Sequence, residues 1–292
     1  MAQVAAFQHG QYADLVPFQS LIQPKLDYLA QREESWASVV RRNIDRLRAS
    51  RLAPDDEFTR RRMYCFHTAY VDLRREARPV FDTWYSQHGP TRVCRFLRCL
   101  DSRMATVLVL DAVWYGRLDA LVCIHRIMSL ERYIVSLVDL AAMANQLAIL
   151  QYLVEERLGQ CTIIALAEAA RLGHVNVAQW IYEYTDVEVA DDVIASAARN
   201  GHLIIVKYFA EHGTRPNDVC SRALVATIGS GHVEIVKYCC HERRGDCCVK
   251  AALEAARAAY QLTSTSRATK KRLLYDIAYV RQRLCGCCEW DR

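Results

Sequence analysis

Cysteine and histidine are the residues best equipped for chemistry in this chain, with 13 Cys and 9 His among 292 residues. Three runs concentrate the thiols: Cys239-Cys240-His241, Cys247-Cys248 and Cys285-Gly286-Cys287-Cys288. Closely spaced Cys and His ligands are what a tetrahedral zinc site requires. Against zinc, Cys239 falls on an apolar helix position held by Leu153 and Phe209 elsewhere, and Cys247 falls on a connector position held by Cys161, with Cys220 nearby in the preceding unit. A free cysteine serves at such places as a small hydrophobe. No bound metal and no cofactor are therefore expected, although the Cys285 cluster has no such counterpart. Its Cys-x-x-Cys spacing ends the sequence, outside any βαβ pattern, which argues against thioredoxin-like redox chemistry. The odd cysteine count, the chain length and the absence of a basic-then-apolar N-terminal export signal together predict reduced thiols and an intracellular location, cytoplasmic or nuclear.

His174, His202 and His232 each follow a glycine at the same place in a recurring phrase. Equivalent positions in stacked helix layers lie roughly 10 Å apart, too far to share a metal ion, so these histidines read as turn residues. No Gly-x-Ser-x-Gly, phosphate-cradling glycine loop or His-Glu-x-x-His is present, and such motifs are what nucleophilic, phosphoryl-transfer or zinc-hydrolase chemistry would need. No catalytic residue is assigned, and a non-enzymatic protein is expected. The pair Asp191-Asp192 reads as a helix N-cap with first-turn acids.

The elements that position these residues repeat. The phrase runs Ala169-Ala170-Arg171-Leu172-Gly173-His174-Val175, then Ala197-Ala198-Arg199-Asn200-Gly201-His202-Leu203, then Gly229-Ser230-Gly231-His232-Val233. Weaker copies surround Gly116 and Asn145, so the turn residues Gly116, Asn145, Gly173, Gly201 and Gly231 are spaced by 29, 28, 28 and 30 residues. A fixed period of this size is the signature of a stacked repeat array. Before each turn lies an Ala-rich segment of high helix propensity. After it comes a bulkier one, as in Val175, Val177, Ala178, Trp180 and Ile181, whose apolar residues share one helical face. Glycine, or asparagine as next best, supplies the positive φ that ends the first helix.

The predicted fold is all-α, a solenoid of stacked antiparallel helix pairs. Residues 1–103 form a helical leader with a possible degenerate repeat, residues 104–246 hold five pairs, and residues 247–292 form a C-terminal capping unit and tail. Pro79 and Gly89-Pro90 are expected to break the leader's helices, with Val93, Phe96, Leu97 and Leu100 on a further short helix. No apolar run approaches the ~18 residues that cross a bilayer, so no membrane association is expected. The chain carries a net charge of +5. Residues 1–105 hold 17 Lys+Arg against 12 Asp+Glu, and the remainder is balanced at 21 of each.

The Ala-Ala-Arg-x-Gly-His segment, followed by an apolar helix ending Val-Lys-Tyr, resembles the ankyrin repeat. The likeness is strongest at 169–182, 197–209 and 231–239 and covers about 104–260. It departs from the family's 33-residue period and its Thr-Pro-Leu-His opening. It is similar instead to the divergent short-period arrays of some microbial eukaryotes and large DNA viruses. The resemblance implies an ankyrin-like fold without prominent β-hairpin fingers, and a scaffold that binds another protein. It further implies that the last two residues before each turn line the concave, ligand-facing side. Carried onto this sequence, that ladder contains Trp114, Tyr115, Met143, Arg171, Arg199, Asn200, Ser230 and Arg257. Aromatic residues and Arg are the types that dominate interface hot spots. The competing expectation is a nucleic-acid or acidic-surface binder using Arg60-Arg61-Arg62, Arg92, Arg95, Arg98 and Lys270-Lys271-Arg272. A solvated helix face accounts for those charges more simply, so nucleic acid is the lesser expectation. A monomer is expected.

Overall fold

A computed structural model describes residues 77–97, 102–130, 136–213, 216–228 and 230–242, with isolated positions at 18, 20, 22, 24, 25, 75, 254, 271, 275, 276, 278 and 279. All regular structure among the described residues is helical, and no helix among them is long and apolar enough to cross a membrane. The chain divides into two compact units, Met1–Leu137 and Val138–Arg292.

In the first unit, helix α1 spans residues 77–88. A 3-10 turn at Pro90–Arg92 leads into α2 (Val93–Leu97), and α3 (Ser102–Trp114) is paired with α4 (Leu118–His125). Pro79 does not break α1: the residues on both sides of it are helical. The face carrying Ala77, Phe81 and Trp84 is buried, at 2%, 1% and 4% exposure, which offsets the loss of one backbone donor. Gly89, at φ 67, does end α1. It precedes Gly116 by 27 residues, so α1 and α2 form a further helix–turn–helix at nearly the repeat spacing.

The second unit contains α5 (Leu137–Met143, which begins at the division), α6 (Leu147–Glu155), α7 (Ile163–Leu172), α8 (Val175–Tyr184), α9 (Asp191–Arg199), α10 (Leu203–His212), α11 (Pro216–Thr227) and α12 (Val233–Lys237), followed by a π-helical turn at Tyr238–Glu242. Helix α7 packs on α9 and α9 on α11, while α8 packs on α10 and α10 on α12. First helices thus contact first helices and second contact second. The same offsets from the turn are buried each time. Before the turn these are Ala165, Leu166, Ala169 and Ala170, matched by Val193, Ile194, Ala197 and Ala198. After it they are Val177, Ala178 and Ile181, matched by Ile205, Val206 and Phe209, then by Ile235, Val236 and Cys239. Small Ala side chains at the first-helix contact let the backbones approach closely, and the bulkier second helices fill the remaining volume.

The turns share a left-handed corner residue, and four of them share one hydrogen bond. Gly116, Asn145, Gly173, Gly201 and Gly231 have φ of 70, 59, 80, 82 and 89. The amide after the turn residue reaches back to an alanine carbonyl, as Arg117 N–H to Ala112, Gln146 N–H to Ala141, His174 N–H to Ala169 and His202 N–H to Ala197, at 2.8, 2.9, 2.9 and 3.0 Å. This is the six-to-one bond of a Schellman cap, which needs a left-handed residue at its corner. One connector is fixed by side chains. Thr162 Oγ1 accepts the Ile164 amide at 3.1 Å to cap α7, and donates to the buried Asp139 Oδ1 at 2.9 Å. The N-cap of α9 is Ala190, without a side-chain bond. Asp191 is not the cap, because its carboxylate pairs instead with Arg222 on α11.

Candidate partner-binding surface

The first helix of each pair ends with carbonyls that lack helical partners. The Schellman bond takes one of them. A second is taken by the histidine of the following pair. His174 Nε2 donates to the Met143 carbonyl at 3.1 Å, His202 Nε2 to Arg171 at 2.9 Å, and His232 Nε2 to Arg199 at 3.0 Å. Each accepting residue lies two positions before a turn residue, so each imidazole latches one layer to the end of the layer before it.

The ring also rests on the preceding turn. A Cβ on Gly173 would stand 2.6 Å from His202 Nδ1 and Cε1, and one on Gly201 would stand 2.5 Å from His232 Nδ1. Glycine at these positions therefore meets two demands, a left-handed backbone and room for a ring. Burial holds the His174 pKa below the usual 6.5, opposed by its bond to the Met143 carbonyl and reinforced by His202 and Arg171. The neutral ring carrying its proton on Nε2 is the form that makes this bond.

The ladder residues lie as follows. Arg171, Leu172, Arg199 and Asn200 are exposed, and Met143, Ala144 and Ser230 are half-buried. Arg171 pairs with Glu168 on its own helix, at 3.0 Å from Nε and 2.7 Å from Nη2. Asn200 Nδ2 donates to the Ser196 carbonyl at 2.8 Å and Ser230 Oγ to Thr227 at 2.5 Å. Arg257 lies outside the described residues. In the second unit the backbones of Met143, Arg171 and Arg199 are thus pinned by histidine, while the two arginine side chains project to solvent.

Trp114 and Tyr115 belong to the first unit and are half-buried. Tyr115 takes part in a cationic cluster, with the Arg78 guanidinium 4.9 Å and the Arg117 guanidinium 5.7 Å from its ring centroid. Arg117 stands where the next pair has Gln146 and the three after it have histidine. It bonds the buried Asp111 through Nε at 2.9 Å, pairs with Asp82, and lies 4.4 Å over the Tyr85 ring. The hydrogen bond from Arg117 is the main cause of a lowered Asp82 pKa, against a smaller desolvation effect. Arg117 itself titrates higher than usual, because the attraction of Asp111 and Asp82 exceeds the cost of its partial burial.

Sequence reasoning missed several exposed apolar residues, the two most exposed being Tyr184 and Ile204. Ile204 is 63% and Tyr184 69% exposed. For Ile204 a signal existed: the same offset holds Asp119, Ala148, Asn176 and Glu234 in the other pairs. Among the described residues no group of three or more His, Cys, Asp or Glu side chains could hold a metal ion. Cys239 and Cys240 are buried, whereas Cys247, Cys248, Cys285, Cys287 and Cys288 lie outside the described residues.

No family model matches the chain. Among curated proteins it is similar to Alpha-latrotoxin-Lh1a of Latrodectus hasselti, at 31% identity over 91 residues, which are 30% of this chain and 7% of that protein. The chain thus covers a small fraction of that relative's length.

Proposed function

We propose that the chain is a non-enzymatic, ankyrin-like solenoid that binds another protein through the residues preceding its turns. The observation carrying this reading is the pairing of a pinned backbone with an exposed side chain: Arg171 and Arg199 hold histidine at their carbonyls and are themselves exposed, with the Arg171 guanidinium oriented by Glu168. A surface fixed before binding loses little conformational entropy on association. Leu172 beside Arg171, 37% exposed, adds the apolar contact that a polar surface needs for a hot spot. The repeated Ala-Ala-Arg-x-Gly-His segments support the ankyrin-like assignment, as do the buried offsets that recur from one helix pair to the next.

The test is affinity capture with the full chain, read by mass spectrometry, beside an Arg171→Glu/Arg199→Glu variant of unchanged helicity. A partner retained by the parent and reduced at least tenfold with the variant, about 1.4 kcal/mol, supports the reading. Equal capture by both overturns the assignment of the surface. Nucleic acid recovered in place of protein, with binding that weakens steeply as salt rises, overturns the function.

A further inference from the structure

We propose that Cys94 and Cys123 form a reversible dithiol–disulfide couple joining α2 to α4. The two helices pack against each other. Cys94 Sγ lies 3.9 Å from the Cys123 carbonyl, so the thiol of one cysteine reaches the backbone of the other. Both are half-buried, whereas Cys220, Cys239 and Cys240 are buried. A thiol that reaches the other cysteine's backbone across packed helices can approach the S–S separation of about 2 Å by side-chain rotation. The solvent-facing part of each leaves a path for a small oxidant.

The chemistry is exchange with a small disulfide such as oxidised glutathione. One protein thiol loses its proton, and the thiolate attacks a glutathione sulfur, breaking that S–S bond and expelling glutathione thiolate. The second protein thiolate attacks the mixed disulfide at the protein sulfur, forming the Cys94–Cys123 bond and releasing the second glutathione. Two electrons pass from the protein thiols to the oxidant, and the two protons go to solvent or to the released thiolates. Burial is the main cause of a raised Cys123 pKa, with Cys94 and Asp119 adding to it and Arg126 opposing. Little thiolate is present at neutral pH, so the pair suits slow equilibration with a thiol–disulfide buffer better than rapid peroxide sensing.

The test uses the full chain, folded, in mixtures of reduced and oxidised glutathione, followed by acid quench, alkylation and tryptic digestion. The expected product links peptide 93–95 to peptide 118–126, exceeds any Cys94–Cys99 link by about tenfold, and disappears on reduction with dithiothreitol. Cys94→Ser should leave Cys123 as free thiol or glutathione adduct with unchanged circular dichroism. The proposal is overturned if Cys94 links mainly to Cys99, if both cysteines accumulate only as glutathione adducts, or if the link forms only in urea. The Cys94→Ser digest keeps the question open to refutation even if oxidation perturbs the fold: a Cys123 cross-link of equal yield in that variant shows that Cys94 is not its partner.

Discussion

Gly201 is where the latch can be tested most directly. It sits at φ +82, and an added Cβ would stand 2.5 Å from Nδ1 and 2.6 Å from Cε1 of His232. Gly201→Ala therefore carries two costs. Holding an L-residue in the left-handed region costs roughly 1–2 kcal/mol. Displacing the ring also weakens the His232 bond to the Arg199 carbonyl, now 3.0 Å, which is worth about 0.5–1.5 kcal/mol net. The sum is about 1.5–3.5 kcal/mol, a large share of the stability of an ordinary domain. The two costs separate in a double-mutant cycle. With His232→Ala in place there is no ring to displace, and only the backbone strain remains. The double variant should lie about 1 kcal/mol closer to the parent than the sum of the singles, well beyond the ~0.5 kcal/mol within which independent sites add. Gly201→Asn should fall between glycine and alanine. Asn145 fills an equivalent turn at φ 59, and His174 still holds the Met143 carbonyl at 3.1 Å. Urea unfolding followed by circular dichroism measures the parent and its four variants. Strict additivity of Gly201→Ala and His232→Ala, or a Gly201→Ala cost under about 0.5 kcal/mol, refutes the latch.

Further outcomes follow from the same contacts. Because the folded His174 binds its proton less readily than the unfolded chain does, its contribution is fully present above its ordinary pKa and is lost as pH falls through the folded value. The urea midpoint should drop on acidification from neutral pH, less steeply in His174→Gln, and an unchanged slope in that variant would contradict the role given to this ring. Arg117→Leu leaves Asp111, 1% exposed, without its cation. A loss of about 3 kcal/mol is expected, near the low end for breaking a buried pair, and the Asp111→Asn/Arg117→Leu chain should recover part of it; thermal melts that show no recovery would point to lost packing as the cause. The purified chain should carry no stoichiometric zinc by elemental mass spectrometry. One zinc per chain, removed by Cys287→Ser/Cys288→Ser, would reverse the reading of the cysteines as hydrophobes.

The helical pairs from residue 102 to 237 were readable because each pair repeats the same buried offsets around a turn that demands glycine or asparagine. A fixed period makes one strong copy, such as 163–184, interpretable for the weak copies around Gly116 and Asn145. The pair at 77–97 was not readable in the same way. Its turn is Gln87-His88-Gly89-Pro90, with neither the Ala-Ala nor the Gly-His segment, and Pro79 signals a break that tertiary burial of Phe81 and Trp84 overrides. The histidines were legible as turn residues but not as latches, since their acceptors lie 31 or 33 positions away and local spacing carries no such information. Arg117 was similarly opaque. Nothing in its neighbourhood of sequence announces Asp82 and Tyr85 as partners.

The latch divides two tasks between adjacent atoms of one residue. In Arg171 and Arg199 the carbonyl serves the next layer while the guanidinium faces solvent, so the side chain can vary without touching the hydrogen bond that positions it. The histidine has no such freedom, because its ring must donate through Nε2 and, at His202 and His232, fill the space beside a turn glycine. A scaffold built this way concentrates its constraints on the turn glycine, the following histidine and the alanines beneath them. The side chains just before the turn carry none of these constraints. If the surface binds a partner, substitutions at Arg171 or Arg199 change affinity at constant stability, whereas substitutions at His202 or His232 change both, because they release the backbone from which those arginines project.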